Sequence, residues 1–281
     1  MNNYRFKLIF PKDRAPESVK DLLADLLIQR KWRHFLRIEK AVTVNGSYRN
    51  FNEQVCPGDE VVIVLNHVEP HQQSYAASGK FPRVVYEDDN LLVIDKPAGQ
   101  KTHPNLFETD TALNDCATYL GSSPYVVHRL DMLTRGLLLV AKNPAAVPIL
   151  NQELSKKICQ RDYLAWVDIN APLPDAGTID KAIGHDPNDQ RKRMVTADGL
   201  HAVTHFKVLQ RKGKRAQLLL SLETGRTHQL RVHLASCGWP ICGDPLYNVN
   251  YQNEQQLQLT AFRMRLILPF SFTEKTILLP K

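Results

Sequence analysis

The segment around Asp131 places one ionisable side chain between two apolar stretches. Valines precede it at positions 126 and 127, and the aliphatic run 137–141 follows it. Both flanks have the composition of buried strands, so the chain has to accommodate a carboxylate between two core segments. Burial alone raises the pKa of a carboxyl group and neutralises it. The fold therefore has to supply a stabilising partner to Asp131.

Two arginines are candidate partners for this carboxylate. Arg129 lies two residues earlier and shares a face with Asp131 if the strand extends that far. Arg226 lies in the distant run 223–234. A guanidinium stays charged and pairs bidentately with a carboxylate, and a rigidly held carboxylate can act as a nucleophile. The local sequence leaves open an Asp–Arg salt bridge that only holds a turn.

Length and composition predict a globular protein. The chain has 281 residues, 43% of them hydrophobic, which suffices for one large domain, alone or with a small one. No apolar run approaches the roughly 20 residues of a membrane span, and the N-terminus has no secretion signal. We therefore expect a soluble, cytoplasmic protein and, by default, a monomer.

The cysteines predict neither disulfides nor a metal site. They are odd in number, five, and show no CxxC spacing, which is typical of reduced thiols. Cys237 and Cys242, with His233 nearby, match no common zinc spacing. We expect no metal.

Residues 1–66 have the pattern of a small domain. Apolar residues spaced i, i+3, i+4 predict a helix over 19–27 and a second helix around Trp32, Phe35 and Leu36. The net charge of +7 favours a polyanionic partner. We expect one face of the second helix to bind such a partner, although a solvated charged face is the alternative. The cations of that face are Arg30, Lys31, Arg33 and Arg37.

Residues 67–82 are polar and predict a linker, and residues 83–281 alternate strand and helix patterns. Strands are predicted over 90–95 and 163–167. Helices are predicted after a cap at Thr109 or Asp110, from Asn143, and over 227–235. This mixture predicts an α+β domain with a large, mostly antiparallel mixed sheet flanked by helices.

The larger domain contains four motifs with chemistry-bearing residues. They are Lys96-Pro97-Ala98-Gly99 with His103-Pro104, His128-Arg129-Leu130-Asp131 with Thr134 and Gly136, Asp162-Tyr163-Leu164-Ala165-Trp166-Val167, and Gly225-Arg226-Thr227-His228-Gln229-Leu230-Arg231-Val232-His233. In this order they resemble the motifs of the RNA pseudouridine synthases that modify large ribosomal RNA and some transfer RNAs, and the resemblance covers residues 83–247. Before it, two helices, a Val-Asn-Gly hairpin and a Gly-Asp-Glu-Val-Val strand resemble an S4-like RNA-binding domain.

This resemblance implies a reaction and roles for three residues. Asp131 would be the catalytic aspartate of an isomerisation in which the N-glycosidic bond of uridine is cut, the uracil turned, and the base rejoined through carbon 5. Tyr163 would stack on the flipped base and assist proton removal, and Arg226 would pair with Asp131. On its pattern alone, Tyr163 could also be a core tyrosine. No cofactor is implied, and the chain has no GxGxxG, Walker-type or HExxH motif.

The implied substrate is a structured RNA, because the target base must leave its stack and loops lower that cost. Ribosomal RNA is favoured over transfer RNA, since an S4-like domain usually accompanies ribosomal targets in this family. His228 could instead be structural, and Arg231 could simply cover a helix. Besides the cations of the small domain, the residues expected to contact RNA are Arg129, Arg135, His228 and Arg231.

The chain departs from the family at two places. Arg135 stands where the family usually has serine, and residues 259–269 lack the family's C-terminal histidines. Two other functions are weighed. A non-catalytic RNA-binding or ribosome-assembly factor would not need Asp131, Tyr163 and Arg226 together. A glycoside hydrolase usually needs a second carboxylate, which no motif contains.

Overall fold

A computed structural model of the protein describes residues 3–69 and 74–280. Residues 1, 2, 70–73 and 281 lie outside the described residues, and 70–73 belong to the predicted linker. The helices are α1 Val19–Asp25, α2 Arg30–Ile38, α3 Ala112–Leu120, α4 Ala146–Ser155 and α5 Gln229–Ser236. The strands are β1 Tyr4–Ile9, β2 Glu17–Ser18, β3 Val42–Val44, β4 Ser47–Tyr48, β5 Gln54–Val55, β6 Glu60–Leu65, β7 Val84–Glu87, β8 Leu91–Lys96, β9 Tyr125–Val126, β10 Arg135–Ala141, β11 Gln160–Asp168, β12 Ala176–Asp180, β13 Ile183–His185, β14 Arg193–Val195, β15 Val203–Lys212, β16 Arg215–Leu222, β17 Leu259–Ile267 and β18 Glu274–Leu278.

The N-terminal unit is a four-stranded antiparallel sheet with two helices. The strand order is β1-β6-β3-β4, and β3 and β4 turn at Asn45-Gly46, both of which have positive φ. That pair is the usual choice for a tight hairpin, since both central residues need φ above zero. Helix α1 begins where the Ser18 side chain accepts the Asp21 amide hydrogen at 3.1 Å.

Helix α2 is amphipathic as predicted. Trp32 and Leu36 are buried, and the Phe35 ring stacks on His67 with centroids 4.1 Å apart. Packing of these three side chains on one side of the helix leaves its cationic side outward, with Arg30, Lys31 and Arg37 exposed.

The larger unit is built on a ten-stranded mixed sheet. Its main path is β12-β15-β16-β11-β17-β10-β8-β7, with β18 on β17 and β9 on β10. The pairings are antiparallel except β10 with β17, which is parallel. The predicted α+β class with a mostly antiparallel mixed sheet is therefore confirmed.

Helices cover both faces of this sheet. On β8, Leu92 and Ile94 join a core that contains residues of α3 and α5, whereas Leu91 and Val93 join a core that contains residues of α4. Alternate residues of a strand point to opposite faces, which explains why every residue of β8 is buried. None of the described helices is long and apolar enough to cross a membrane.

The two units share one continuous core. The rings of Phe6 and Phe270 stack with centroids 3.4 Å apart, and Gln152 of α4 donates a hydrogen bond to the Leu27 carbonyl at 2.8 Å. Residues next to Gln152 on α4 line the cleft described below, so α4 lies between the N-terminal unit and that cleft.

Three predicted helix starts need correction. Thr111, not Thr109 or Asp110, caps α3, through a capping box with Asn114. Helix α4 begins at Ala146; the Asn143 side chain accepts the Ala146 amide hydrogen at 3.0 Å from one turn earlier. Helix α5 begins at Gln229 because the preceding residue has a left-handed backbone, φ 58°.

Candidate active site

The predicted strand ends before Asp131, which lies in the loop between β9 and β10. The Thr134 amide donates to the Asp131 carbonyl at 3.0 Å and closes a turn. The Thr102 hydroxyl donates to the Leu130 carbonyl at 2.7 Å. Asp131 is therefore held by a cross-linked loop, and Arg129 and Asp131 do not share a strand face.

His128 is a structural residue of this loop. Its Nε2 accepts the amide hydrogen of Leu139 at 3.1 Å, and burial lowers its pKa to about 3. The ring is therefore neutral at physiological pH and fastens the loop to β10.

Lys96 holds the other side of the loop. Its buried ammonium donates to the carbonyls of Pro97 at 2.9 Å, Gln100 at 2.8 Å and Met132 at 3.1 Å. Burial lowers the pKa of Lys96 to about 8, and the charges of Asp131 and Asp95 oppose that shift. The sequence flagged this lysine only as part of a motif, and the structure shows that it positions the residue next to Asp131.

The cation beside Asp131 is Arg231. Asp131 Oδ2 lies 3.8 Å from Arg231 Nη1 and 3.9 Å from His228 Nε2, and its side chain is 28% exposed. Arg231 itself is clamped by Asp244, with Nε–Oδ2 at 2.8 Å and Nη2–Oδ1 at 2.7 Å. The exposed fractions are 3% for Arg231 and 0% for Asp244. The buried Arg231 guanidinium thus lies between two carboxylates: Asp244, which is buried and bound to it bidentately, and Asp131, which is open to the cleft.

Arg226 does not form the predicted ion pair with Asp131. Its side chain is exposed, its Nε donates to the His201 carbonyl at 3.0 Å, and its amide donates to Gln229 Oε1. The reason is that α5 begins at Gln229, so Arg231 lies inside the helix and faces the core while Arg226 lies in the preceding loop. The sequence had no signal for Asp244, which lies 13 residues beyond Arg231 and holds it.

Tyr163 lies on β11 and lines the same cleft as Asp131. It is nearly fully buried, and burial raises its pKa, with the Arg161 charge opposing. The phenol is therefore neutral at physiological pH.

His228 borders the cleft, and its Nδ1 shares a hydrogen bond of 2.8 Å with the Tyr247 hydroxyl. Burial lowers the pKa of His228, and the negative charge of Asp131 opposes that shift.

The cleft that contains Asp131 has a volume of about 750 Å³, within the range of ligand sites. Four arginines line it against two carboxylates, Asp131 and Glu223, and Glu223 already pairs with Lys157 and His205. The cleft is therefore cationic. Its arginines are Arg129, Arg161, Arg226 and Arg231.

Arg135 lies outside this cleft. It pairs with the buried Asp95, with Nε–Oδ1 at 3.3 Å and Nη2–Oδ2 at 3.0 Å, and borders a separate depression. The structure therefore does not place Arg135 beside Asp131. Its guanidinium is instead the partner of the buried Asp95 carboxylate.

The large mixed sheet places one carboxylate, Asp131, in a cleft lined by four arginines, which suits the binding of an anionic ligand. The model of the family described as RNA pseudouridylate synthase matches residues 90–236, and that of the RluD ribosomal pseudouridine synthase N-terminal domain matches residues 6–61. The chain belongs to the RNA pseudouridine synthases, which are isomerases that act on RNA.

Relatives span most of the chain. Uncharacterized RNA pseudouridine synthase YlyB of Bacillus subtilis (strain 168) is 40% identical over 215 residues, covering 73% of this chain and 70% of the relative. Ribosomal large subunit pseudouridine synthase D of Nitrosomonas europaea is 36% identical over 254 residues, covering 88% of this chain and 73% of the relative. The solved structure of Human RNA Pseudouridylate Synthase Domain Containing 1 shares the fold, with a TM-score of 0.62 at 24% identity, over 76% of this chain and 86% of that one.

Proposed function

We propose that this enzyme isomerises uridines of large-subunit ribosomal RNA with Asp131 as its catalytic carboxylate. The observation that carries the proposal is the Asp131 carboxylate in a cationic cleft, within 4 Å of a buried arginine that a second carboxylate clamps. Arg231 places a positive charge 3.8 Å from Asp131 Oδ2. An ionised, rigidly held carboxylate is what attack on the sugar or on the base requires.

The surrounding residues serve the rotation of the base. Tyr163 forms one wall of the cleft, where a flat uracil can stack on its ring. The Tyr163 phenol is neutral and the other cleft carboxylate, Glu223, pairs with Lys157 and His205, so Asp131 is the carboxylate left to act at the reacting atoms. Lys96 keeps the loop in place while the glycosidic bond is cut and carbon 5 takes the place of nitrogen 1.

RNA affinity comes from two cationic surfaces. Arg129 and Arg226 line the cleft, and α2 presents Arg30, Lys31, Arg33 and Arg37 on the N-terminal unit. Among the described residues, none of these α2 cations makes an ion pair, so they are free to neutralise phosphates. Residues 1–66 and 83–281 would act as RNA-binding and catalytic parts of one monomer in the cytoplasm.

Ribosomal RNA is proposed over transfer RNA because relatives that cover most of the chain are named for the large ribosomal subunit and the N-terminal match carries the same description. Carbodiimide mapping of pseudouridine in unmodified transcripts of both RNAs tests this choice. We expect new pseudouridines in the large-subunit transcript with wild type and none with Asp131→Asn. Modification of transfer RNA alone would overturn the ribosomal assignment.

A further inference from the structure

Arg161 is a cleft residue to which neither the motifs nor the reaction assigns a role. It lies on β11 two residues before Tyr163, and both side chains line the cleft. Residues two apart on a strand point to the same face, so Arg161 stands beside the tyrosine on which the base would stack.

The guanidinium of Arg161 has no protein partner that satisfies it. Its Nε is buried and has no hydrogen-bond acceptor, and within residues 3–69 and 74–280 no carboxylate lies within 4 Å of it. The nearby carboxylates are engaged elsewhere: Asp162 with Arg263 at 2.7 Å, and Glu223 with His205 at 2.6 Å. A buried N–H donor without an acceptor is costly, so an acceptor that enters the cleft would be favoured at this position.

Gly225 leaves room for that anion. A Cβ at position 225 would lie 3.6 Å from Arg161 Nη2 and 3.7 Å from Nη1, in van der Waals contact, so a larger side chain would compete for the space beside the guanidinium. The backbone of Gly225 is outside the left-handed region. Its lack of a side chain is therefore not a demand of the turn, and its effect is to keep Arg161 open to the cleft.

We propose that Arg161, kept open by Gly225, is a phosphate subsite that binds one RNA backbone phosphate at the target uridine. The inference rests on the proposed function, in that RNA must enter this cleft. RNA brings one anion per nucleotide, and a guanidinium pairs bidentately with a phosphate. Holding that phosphate beside Tyr163 fixes the sugar of the flipped nucleotide, which makes Arg161 a binding and positioning residue.

The test is the salt dependence of binding to an unmodified transcript of large-subunit ribosomal RNA. The slope of log K against log salt is negative, and loss of one phosphate contact causes a decrease of about 0.7–0.9 in its magnitude. Arg161→Ala should show that decrease. Arg161→Lys should keep the wild-type slope but bind RNA more weakly, because the positive charge remains while the bidentate geometry of the guanidinium is lost. Arg83→Ala, which removes an arginine bound to Asp95 outside the cleft, is the matched control and should keep the wild-type slope.

Gly225→Leu separates loss of charge from loss of access. It retains the guanidinium but covers it, so it should reproduce the Arg161→Ala slope with an unchanged melting temperature. Wild-type slopes in both Arg161→Ala and Gly225→Leu would overturn the subsite. If wild type binds the transcript but forms no pseudouridine in it, the proposed substrate fails instead, so the two failures are distinguishable.

Discussion

The position of Arg231 beside Asp131 depends on the bidentate ion pair between Arg231 and Asp244. Asp244→Ala leaves a 3% exposed guanidinium without its bidentate partner and removes the acceptor of the Leu246 and Tyr247 amides. Breaking a buried ion pair by deleting one partner costs about 3–5 kcal/mol. We expect that loss in the free energy of unfolding measured by urea denaturation, and at least a tenfold loss of kcat/KM because Arg231 is no longer held beside Asp131.

A surface ion pair provides the control. Asp175, 91% exposed, pairs with Arg211 at 2.6 Å, and removal of such a pair costs about 0–1 kcal/mol. The double variant Arg231→Met/Asp244→Leu removes both buried charges, so most of the stability should return while the activity stays lost. The reasoning is refuted if Asp244→Ala is no less stable than Asp175→Ala, or if the double variant keeps wild-type activity.

Three further predictions follow from single residues. Burial raises the pKa of Glu153 from 4.5 to about 7, so the stability that its protonated form contributes is complete below pH 4.5 and lost as the pH rises through 7. Between pH 4.5 and 8 the wild-type protein should therefore lose about 3 kcal/mol of unfolding free energy. Glu153→Gln, which does not ionise, should retain that free energy when both proteins are compared by urea titration. Gly136→Ala should lower the melting temperature sharply, because its Cβ would lie 2.2 Å from the Ala261 carbonyl at φ +117°, whereas Gly213→Ala, with open space around it, should lower it only slightly. Arg226→Ala should raise KM at unchanged kcat, while Arg231→Ala should lower kcat; the reverse pattern in steady-state kinetics would restore Arg226 as the partner of Asp131.

Local patterns were sufficient for much of the fold. Apolar spacing gave α1 and α2, Asn45-Gly46 gave the hairpin, and the alternation of strands and helices gave the mixed sheet. Strand β1 was not predicted, because it is stabilised by pairing with β6 about 55 residues away along the chain. Long-range pairing of this kind leaves little trace in a local pattern.

The sequence motifs predicted several residues of the cleft, but not which of those residues contact one another. Asp131 and Tyr163 line the same cleft, but the choice between Arg226 and Arg231 depends on a left-handed residue, His228, that sets the start of α5. Asp244 was missed because its role depends on its contact with Arg231, and Arg161 was missed because its role depends on a buried Nε without an acceptor. Only three-dimensional contacts reveal either feature.

The central claim is that Asp131 drives the exchange of nitrogen 1 for carbon 5. Forming the new glycosidic bond expels the hydrogen at carbon 5, so the decisive measurement is tritium release from unmodified large-subunit ribosomal RNA labelled at that carbon. We predict release with wild type and none above background with Asp131→Asn, which should still bind the RNA and melt at the wild-type temperature. Release by a folded Asp131→Asn variant at the wild-type rate would contradict the account.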